Sequence, residues 1–411
     1  MSSSGSSERR EIEGVLERAE NDERRTAEEL LVGPESDQRP ALSIVLPTLN
    51  EEKGIRICID QIKHAIEALQ VSAEIVVSDS SSDRTPAIAK TMGAIVVEPS
   101  ERGYGHAYKH GFRAARGEYI VMGDADTTYD FKELPQLMEV ARDSDLVLGS
   151  RFKGDIRPGS MPKLHKYVGN PLLTRFLNVF YGADVSDAHS GFRVISRDVL
   201  EELSLQSNGM EFASEMVMEA NERGFDIVEV PITYHERKGE ETLDSFRDGW
   251  RHVRFMLVNA PDHLFFGPGL LAILCGTATM FTSILDAVVG GVAFGVHTMV
   301  GGSLLTTIGC QVLFFGLFSS LAADPIREPD TDLTDWVRQH FHLEHGISIG
   351  LSLVAVGGLG LGYLLMTGLS ADSIGLPSPV WSILTSTTVM LGVLTIFSSF
   401  FMSILAAGND Y

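Results

Sequence analysis

The chain has 411 residues and a formal net charge of −22, with 55 acidic residues against 33 basic ones. Residues 1–263 contain 31 of the basic residues, whereas residues 264–411 contain two. The acidic balance argues against nucleic-acid binding through a basic surface. The three widely separated cysteines form neither a disulfide framework nor a zinc-binding pattern. The nearly charge-free second part argues against a wholly soluble protein.

Residues 1–40 are rich in Ser, Glu and Arg and lack a full apolar face, which predicts a flexible charged tail. From residue 41 to 242, apolar runs typical of buried strands alternate with segments of helical periodicity. The predicted strands are Leu42–Leu46, Glu74–Ser78, Ala94–Glu98, Tyr119–Met122 and Leu146–Leu148. The predicted helices are Ile55–Leu69, Thr85–Met92, Ala107–Arg116 and Phe131–Arg142. This alternation predicts an α/β domain with a mostly parallel sheet.

Polar clusters follow three of the predicted strands: "PTLNEE" (Pro47–Glu52), "DSSSD" (Asp79–Asp83) and "GDADTTYD" (Gly123–Asp130). Ligands of such sheets bind at the carboxyl ends of the strands. Asp124 and Asp126, separated by one residue, have the spacing to hold a hard divalent cation against phosphate oxygens. One of the two carboxylates has the chemistry to bind a ribose hydroxyl instead. An Asx turn remains the alternative for this pair.

Several other polar residues are candidate ligand contacts. Asp79 has the chemistry to accept a hydrogen bond from a base ring, and Asp83 to cap the helix near Thr85. Arg102 follows the third strand, just before Gly103 and Gly105, and is a candidate phosphate contact, with a plain turn as the alternative. Three further cations, Arg151, Lys166 and Arg193, suit neutralisation of an anionic acceptor, with surface salt bridges as the alternative.

Four long charge-free runs predict membrane spans near 265–287, 296–321, 347–368 and 380–406, within a domain of residues 264–411. The segment 243–263 places Trp250 on an apolar helical face and arginines on another, which predicts an amphipathic helix at the membrane surface. Arg327 and Arg338 lie between the second and third spans. The positive-inside rule therefore predicts a cytoplasmic first domain in a multi-pass protein of the cell membrane.

Six motifs together resemble the inverting family-2 glycosyltransferases of the GT-A fold, and within them the dolichol-phosphate mannose or glucose synthases. They are "PTLNEE", "SDSSSDRT", "GYGHAYKHGFRAARGEYIVMGDAD", "GSRF", "DAHSGFRVISRD" and "PITYHERKGEE", in the family's order over residues 41–260. Some archaeal members of that branch carry four spans after the catalytic domain. The resemblance implies a Rossmann-like GT-A α/β domain followed by an all-α transmembrane domain of four helices.

The resemblance also implies residue roles. The nucleotide-sugar would be held by Pro47, Asn50, Glu52 and Asp79, with Asp124 on the ribose or the metal. Asp126 would be the main ligand of a divalent cation, Mg²⁺ or Mn²⁺. Arg151 and Arg193 would act in catalysis by facing the diphosphate and the acceptor phosphate, and Arg237 would lie in a mobile loop that closes over the donor.

The sequence departs from the family pattern at three positions. Ser78 replaces the first carboxylate of "DDGS", Thr128 stands where a glutamine is common, and Thr242 replaces the lysine of "GESKL". Thr128 puts a second protein metal ligand in doubt. The "QxxRW" motif of processive synthases is absent from the sequence, which disfavours polymer synthesis.

The implied reaction transfers a hexose from GDP-mannose or UDP-glucose to dolichyl or polyprenyl phosphate at the bilayer, with inversion. The acceptor phosphate is largely ionised at neutral pH and needs no strong base. One alternative extends a lipid-linked oligosaccharide through a sugar hydroxyl, which requires a base such as Glu211. Another is a transporter with a degenerate transferase domain, which predicts charges within the membrane. Assembly of the chain into a homo-oligomer is a further alternative that the sequence leaves open.

Overall fold

The computed structural model describes residues 25–239, 245–260, 262–289, 291–322, 343–370 and 378–408. The chain divides into two compact units, with the boundary between Phe255 and Met256. That boundary falls inside the segment 243–263 predicted to be an amphipathic connector. A helix, Ser245–Val258, occupies most of this segment.

The first unit contains a seven-stranded sheet with strand order β3-β2-β1-β4-β6-β5-β7. The strands are β1 Leu42–Thr48, β2 Ala73–Asp79, β3 Ile95–Val97, β4 Tyr119–Met122, β5 Leu146–Ile156, β6 Arg193–Ser196 and β7 Ile227–Tyr234. Only β6 runs antiparallel to its neighbours, β4 and β5. The predicted α/β class is confirmed, and the five predicted strands correspond to β1–β5.

The helices of the first unit are α1 Ala27–Leu30, α2 Ile55–Leu69, α3 Thr85–Thr91, α4 Tyr104–Ala114, α5 Leu134–Ala141, α6 Asn170–Tyr181, α7 Arg197–Glu202 and α8 Phe212–Glu222, with α9 Ser245–Val258 across the boundary. The periodicity of α2 explains its position, because Ile55, Ile59, Ile62 and Ile66 lie on one face and are fully buried. The core of this unit therefore lies between the sheet and the apolar faces of its helices.

The prediction of a flexible tail is wrong for residues 25–40. Ala27 and Leu30 of α1 are buried, and Leu31 forms a parallel bridge to Ala73 at the start of β2. The Ala27 amide also donates to Glu67 of α2. A short apolar stripe is enough to dock this segment, because its buried side chains pack beside α2 and the start of β2. Residues 1–24 lie outside the described residues.

The register of the parallel strands brings the predicted ligand-binding loops together. Thr48 at the end of β1 lies opposite Asp79 at the end of β2, and Val45 of β1 pairs with Met122 of β4. The segments that follow β1, β2 and β4 therefore leave the same edge of the sheet. This edge carries the three polar clusters identified in the sequence.

The described residues of the second unit lie mainly in four helices: α10 Gly267–Ile284, α11 Val296–Ala322, α12 Leu343–Ser370 and α13 Pro379–Gly408. All four are long and apolar enough to cross a membrane, which confirms the predicted spans. A two-stranded hairpin, Val288–Val289 with Val292–Ala293, lies between α10 and α11. Arg327 and Arg338, on which the predicted orientation depends, lie outside the described residues.

Glycines let α10 and α11 approach closely. A side chain at Gly302 would begin 2.7 Å from the Gly276 carbonyl oxygen and 2.8 Å from Met280, whereas Gly301 faces open space. Gly302→Leu is therefore expected to destabilise this unit by about 1–3 kcal/mol, because it overpacks the helix pair. The measurement is the thermal unfolding midpoint of the full chain in detergent. Gly301→Leu is the matched control, and equal midpoints for the two variants would contradict this packing argument.

Candidate active site

Asp79 ends β2 with its carboxylate fixed by neighbouring hydroxyls. The hydroxyls of Thr48 and Ser81 each donate to Asp79 Oδ1 at 2.6 Å, and the Ser81 amide donates to Oδ2 at 3.2 Å. The residue is buried. Because Asp79 and Thr48 both end strands, Asp79 is a rigidly held acceptor at the sheet edge. Its contact with a nucleotide base stays a prediction.

Asn50 links the first two loops of this edge. It adopts a left-handed backbone conformation with φ of 60°, accepts a hydrogen bond from the Ser82 amide at 2.9 Å, and donates its own amide to Ser81 Oγ at 2.7 Å. Pro47 belongs to β1 and lies opposite Ser78 in the sheet. Asp83 accepts from the amide of Thr85, the first residue of α3, although the N-cap position of that helix is Arg84.

The carboxylate of the "NEE" sequence that faces the site is Glu51, which sequence reasoning missed. Glu52, the predicted nucleotide contact, is only partly buried and pairs with the exposed Arg84 at 3.3 Å. Glu51 is buried and pairs with Arg237 at 2.6 Å. Adjacent glutamates give no periodic signal within a loop, so only the turn before α2 decides which of them points inward.

Asp124 and Asp126 follow β4 and lie at the centre of the site. Tyr104 donates its hydroxyl to Asp124 Oδ1 at 3.1 Å. The amide and hydroxyl of Thr128 donate to Asp126 Oδ1 at 3.0 and 2.5 Å, and Arg237 Nε lies 3.5 Å from Asp126 Oδ2. Each carboxylate thus has one oxygen held by a hydroxyl of the protein.

The electrostatics of this pair follow from burial and mutual repulsion. Burial, followed by the nearby charge of Asp126, raises the pKa of Asp124 to about 7. Burial also raises the pKa of Glu51, although Arg237 opposes this shift. The loop that carries Arg237 is joined to the site by the amide of Lys238, which donates to the Asp126 carbonyl at 2.9 Å. Arg237 therefore supplies positive charge beside the carboxylates of Glu51 and Asp126.

The donor set fits a hard divalent cation. Among the described residues, no group of three or more His, Cys, Asp or Glu side chains could hold a metal ion. Two carboxylates at a sheet edge nevertheless suit Mg²⁺ or Mn²⁺, which takes oxygen ligands and completes its shell with water and substrate phosphate. The guanidinium beside Asp126 shows that this position already accommodates positive charge.

Arg151, predicted to face phosphate, is buried and already paired. Its Nε donates to Asp187 Oδ2 and its Nη2 donates to Asp187 Oδ1, both at 2.7 Å. Its guanidinium also lies 5.2 Å from the Tyr234 ring centroid. This bidentate pair neutralises much of the charge that the sequence offered to an acceptor. A catalytic role for Arg151 stays a prediction.

Arg193, predicted to face phosphate, donates to backbone carbonyls in this structure, and its catalytic role stays a prediction. The side chain is fully buried and donates to the carbonyl oxygens of Ser190 and Ala213, each at 2.7 Å, and of Ala188 at 2.9 Å. A guanidinium used in this way supports the loop before β6 and ties it to the start of α8.

The two remaining predicted cations lie at the periphery. Lys166 is partly buried, with its Nζ 3.5 Å from the Ile156 carbonyl oxygen and 5.8 Å from the Tyr167 ring centroid. Arg102 is exposed in the turn before α4. Neither is brought against the two aspartates by a described contact, so their phosphate contacts stay predictions.

A histidine pair lies behind the Asp187 loop and was not singled out in the sequence. Both ring nitrogens of His189 are buried without a hydrogen-bond partner among the described residues. Its ring packs edge-on against His252 of α9 at 4.9 Å, and His252 Nδ1 lies 3.3 Å from Ser214 Oγ. The helix predicted to be amphipathic is thus attached to the loop that holds Arg151.

His189 provides a pH test of this arrangement. Burial, then the nearby charges of His252, Arg151 and Arg193, lowers the pKa of His189 well below its usual value. The unfolded chain therefore binds an extra proton as pH falls through about 6.5, and the free energy of unfolding decreases below that pH. His189→Met is expected to reduce the fall in thermal midpoint between pH 7 and pH 5. His64→Met, on the exposed side of α2, is the control, and an unchanged fall in His189→Met would refute this assignment.

The fold and the site define an α/β enzyme unit with a two-carboxylate centre, on a chain with four membrane-length helices. The family models for "Glycosyl transferase family 2" and "Glycosyltransferase family 2 C-terminal transmembrane region" match residues 43–204 and 322–406. The chain is 51% identical over 383 residues to the low-salt glycan biosynthesis hexosyltransferase Agl6 of Haloferax volcanii, covering 92% of each chain. The chain therefore belongs to glycosyltransferase family 2, and the predicted family is confirmed.

Two further proteins are similar to about half of the chain. A dolichyl-phosphate hexose transferase of Haloferax volcanii is 35% identical over 209 residues, which is 51% of this chain and 89% of that one. The structure of glucosyl-3-phosphoglycerate synthase from Mycobacterium tuberculosis, with Mn²⁺ and UDP, is 27% identical at a TM-score of 0.44. That match covers 53% of this chain and 79% of the other.

Proposed function

We propose that the protein transfers a hexose from a nucleotide-sugar to the phosphate of a dolichyl or polyprenyl lipid at the cytoplasmic face of the membrane. The observation that carries this proposal is the Asp124–Asp126 pair at the sheet edge of a chain that also has four membrane-length helices. The similarity to a dolichyl-phosphate hexose transferase supports the lipid acceptor. GDP-mannose and UDP-glucose are the two donors to test first.

The chain's own residues account for donor binding. Asp79 and Asn50 are held by hydrogen bonds between the ends of β1 and β2 and the loops that follow them, and the nucleoside would lie against these residues. Asp124 and Asp126 would hold the divalent cation, and the bound cation would stabilise the negative charge of the departing nucleoside diphosphate. Arg237, whose Nε lies 3.5 Å from Asp126 Oδ2, would add positive charge beside that diphosphate.

The acceptor side of the proposal rests on chemistry and on an apolar surface. A phosphate monoester is largely ionised at neutral pH, so the displacement at the anomeric carbon requires no strong base. Three large apolar side chains, Leu164, Tyr167 and Val168, are exposed next to Lys163 and Lys166. Exposed apolar residues beside lysines suit a lipid phosphate and its interface better than a water-soluble acceptor.

Extension of a lipid-linked oligosaccharide is the second candidate, since Glu211 retains a buried carboxylate oxygen, Oε2, without a partner among the described residues. The neighbouring Glu215 is excluded as a free base, because it accepts from the amides of Gln206 and Ser207. A transporter gains no support from the four helices, whose only charged residue in the sequence is Glu344 in the first turn of α12.

The direct test incubates the purified chain, in detergent with Mn²⁺ or Mg²⁺, with radiolabelled GDP-mannose or UDP-glucose and dolichyl phosphate. We expect label in a lipid-extractable product that mild acid releases as free hexose. Omission of the lipid phosphate is the control. Transfer to a lipid-linked oligosaccharide, with none to dolichyl phosphate, would overturn the proposed acceptor.

Glu211→Gln separates the two candidates. If the acceptor is an ionised phosphate, this isosteric change is expected to leave kcat within about threefold of the wild-type value, because no proton must be removed. A hydroxyl acceptor would lose about 10²–10⁴-fold with its general base. The measurement is the initial rate of hexose transfer at saturating donor, and a loss in that larger range would favour oligosaccharide extension.

A further inference from the structure

Tyr104 is a partly buried residue whose hydroxyl touches the centre of the site. It begins α4, packs edge-on against Tyr108 with ring centroids 5.0 Å apart, and donates to Asp124 Oδ1 at 3.1 Å. Tyr108 lies one helical turn further along and donates instead to the Gly123 carbonyl oxygen at 3.2 Å. Of these two tyrosines of one helix, only Tyr104 donates to a carboxylate, and Tyr108 is the more deeply buried.

The space around this hydrogen bond is shaped by Gly191. A side chain at Gly191 would begin 2.9 Å from both the Tyr104 hydroxyl oxygen and Asp124 Oδ2. The Gly191 amide is itself fixed, because it donates to the Tyr129 hydroxyl at 2.7 Å. The hydroxyl and the carboxylate thus fit into a space that a glycine leaves and that any larger residue would reduce.

Thr128 holds the carboxylate of Asp126 by a hydrogen bond from its hydroxyl, as Tyr104 holds that of Asp124. Its amide and hydroxyl both donate to Asp126 Oδ1, while Oδ2 of that residue faces the Arg237 guanidinium. The Thr128 hydroxyl is buried and directed at a neighbouring carboxylate, an arrangement that suits orientation of Asp126 rather than direct metal ligation. In both aspartates a hydroxyl holds Oδ1.

We propose that Tyr104 and Thr128 are positioning residues that fix the rotation of Asp124 and Asp126, so that one oxygen edge of each is presented to the divalent cation of the donor complex. A carboxylate that is not held must lose its rotational freedom when it binds a cation, and prior orientation removes that cost. The inference rests on the cation-binding part of the proposed function and is independent of the sugar and of the acceptor.

The test measures Mn²⁺ binding to the full chain in detergent, from the electron paramagnetic resonance signal of free Mn²⁺, with and without GDP or UDP. Tyr104→Phe keeps the ring and removes the hydroxyl, and we expect it to raise the Mn²⁺ dissociation constant about 10-fold or more. Tyr108→Phe removes the other hydroxyl from the same helix and is expected to leave that constant unchanged. Thr128→Val is expected to weaken binding, and Thr128→Ser to restore it.

Three results would overturn the inference. They are wild-type Mn²⁺ affinity in Tyr104→Phe, equal weakening in Tyr104→Phe and Tyr108→Phe, and no Mn²⁺ binding by the wild-type chain even with nucleotide. A thermal midpoint within about 2 °C of wild type in Tyr104→Phe would show that its loss of affinity is not a loss of folding. Failure of the proposed acceptor is separate, because it would abolish lipid transfer while this order of Mn²⁺ affinities remained.

Discussion

Asp126→Asn is expected to lower kcat for hexose transfer by at least about 10²–10³-fold, because it removes the negative charge that would hold the divalent cation against the diphosphate. A cation at a developing charge contributes several kcal/mol, which corresponds to this range. Asparagine keeps an oxygen for the donors of Thr128, so the loop can retain its shape. The measurement is the initial rate at saturating nucleotide-sugar and lipid phosphate, over a series of Mn²⁺ concentrations.

The matched control for this variant is Asp130→Asn in the same loop. Asp130 accepts a hydrogen bond from the Lys132 amide at 3.1 Å, a contact that asparagine reproduces, and it lies outside the two-carboxylate centre. Its rate is expected to stay close to the wild-type value. Full activity of Asp126→Asn at every Mn²⁺ concentration would show that the assignment of the cation site is wrong.

Arg193→Met is expected to destabilise the first unit by about 3–5 kcal/mol. The substitution leaves the carbonyl oxygens of Ala188, Ser190 and Ala213 without their donor, and a buried unpaired polar group costs about 1–3 kcal/mol. For a unit of this size the unfolding midpoint should fall by about 6–20 °C. The measurement is the intrinsic-fluorescence melting curve of the purified chain in detergent.

Arg102→Met is the control, because that arginine is exposed and its replacement should change the free energy of unfolding by less than about 0.5 kcal/mol. The pair of variants separates a structural role from a catalytic one. If Arg193→Met melted like the wild type but had lost transfer at every temperature, Arg193 would act on the substrate and the structural assignment would fail.

The sequence predicted the framework of the catalytic unit because its signals are local. The alternation of apolar runs and helical periodicity gave β1 to β5 and helix α2 with its buried face. The position of Asp124 and Asp126 after a buried strand also placed them at the ligand-binding edge, since parallel strands end together. The four apolar runs were long enough to predict four spans without knowledge of their packing.

Side-chain direction within loops was not predictable in the same way. "NEE" contains two adjacent glutamates, and the first is buried against Arg237 while the second lies on the rim beside Arg84. Arg151 lies within β5 and Arg193 begins β6, and the sequence offered both equally to phosphate. One is paired with Asp187 and the other with three carbonyl oxygens, all supplied by residues 20 or more positions away or by the loop itself.

The sequence by itself therefore determined a charged α/β unit, through its periodicity, and four apolar spans after it, through the division of charge that is visible in composition. Tertiary structure alone decided that residues 25–40 dock on this unit, that Glu51 rather than Glu52 faces its centre, and that Arg193 supports a loop. The physical reason is that periodicity and hydropathy depend on neighbours along the chain. The partner of a buried charge depends on groups that only the folded chain brings within hydrogen-bonding distance.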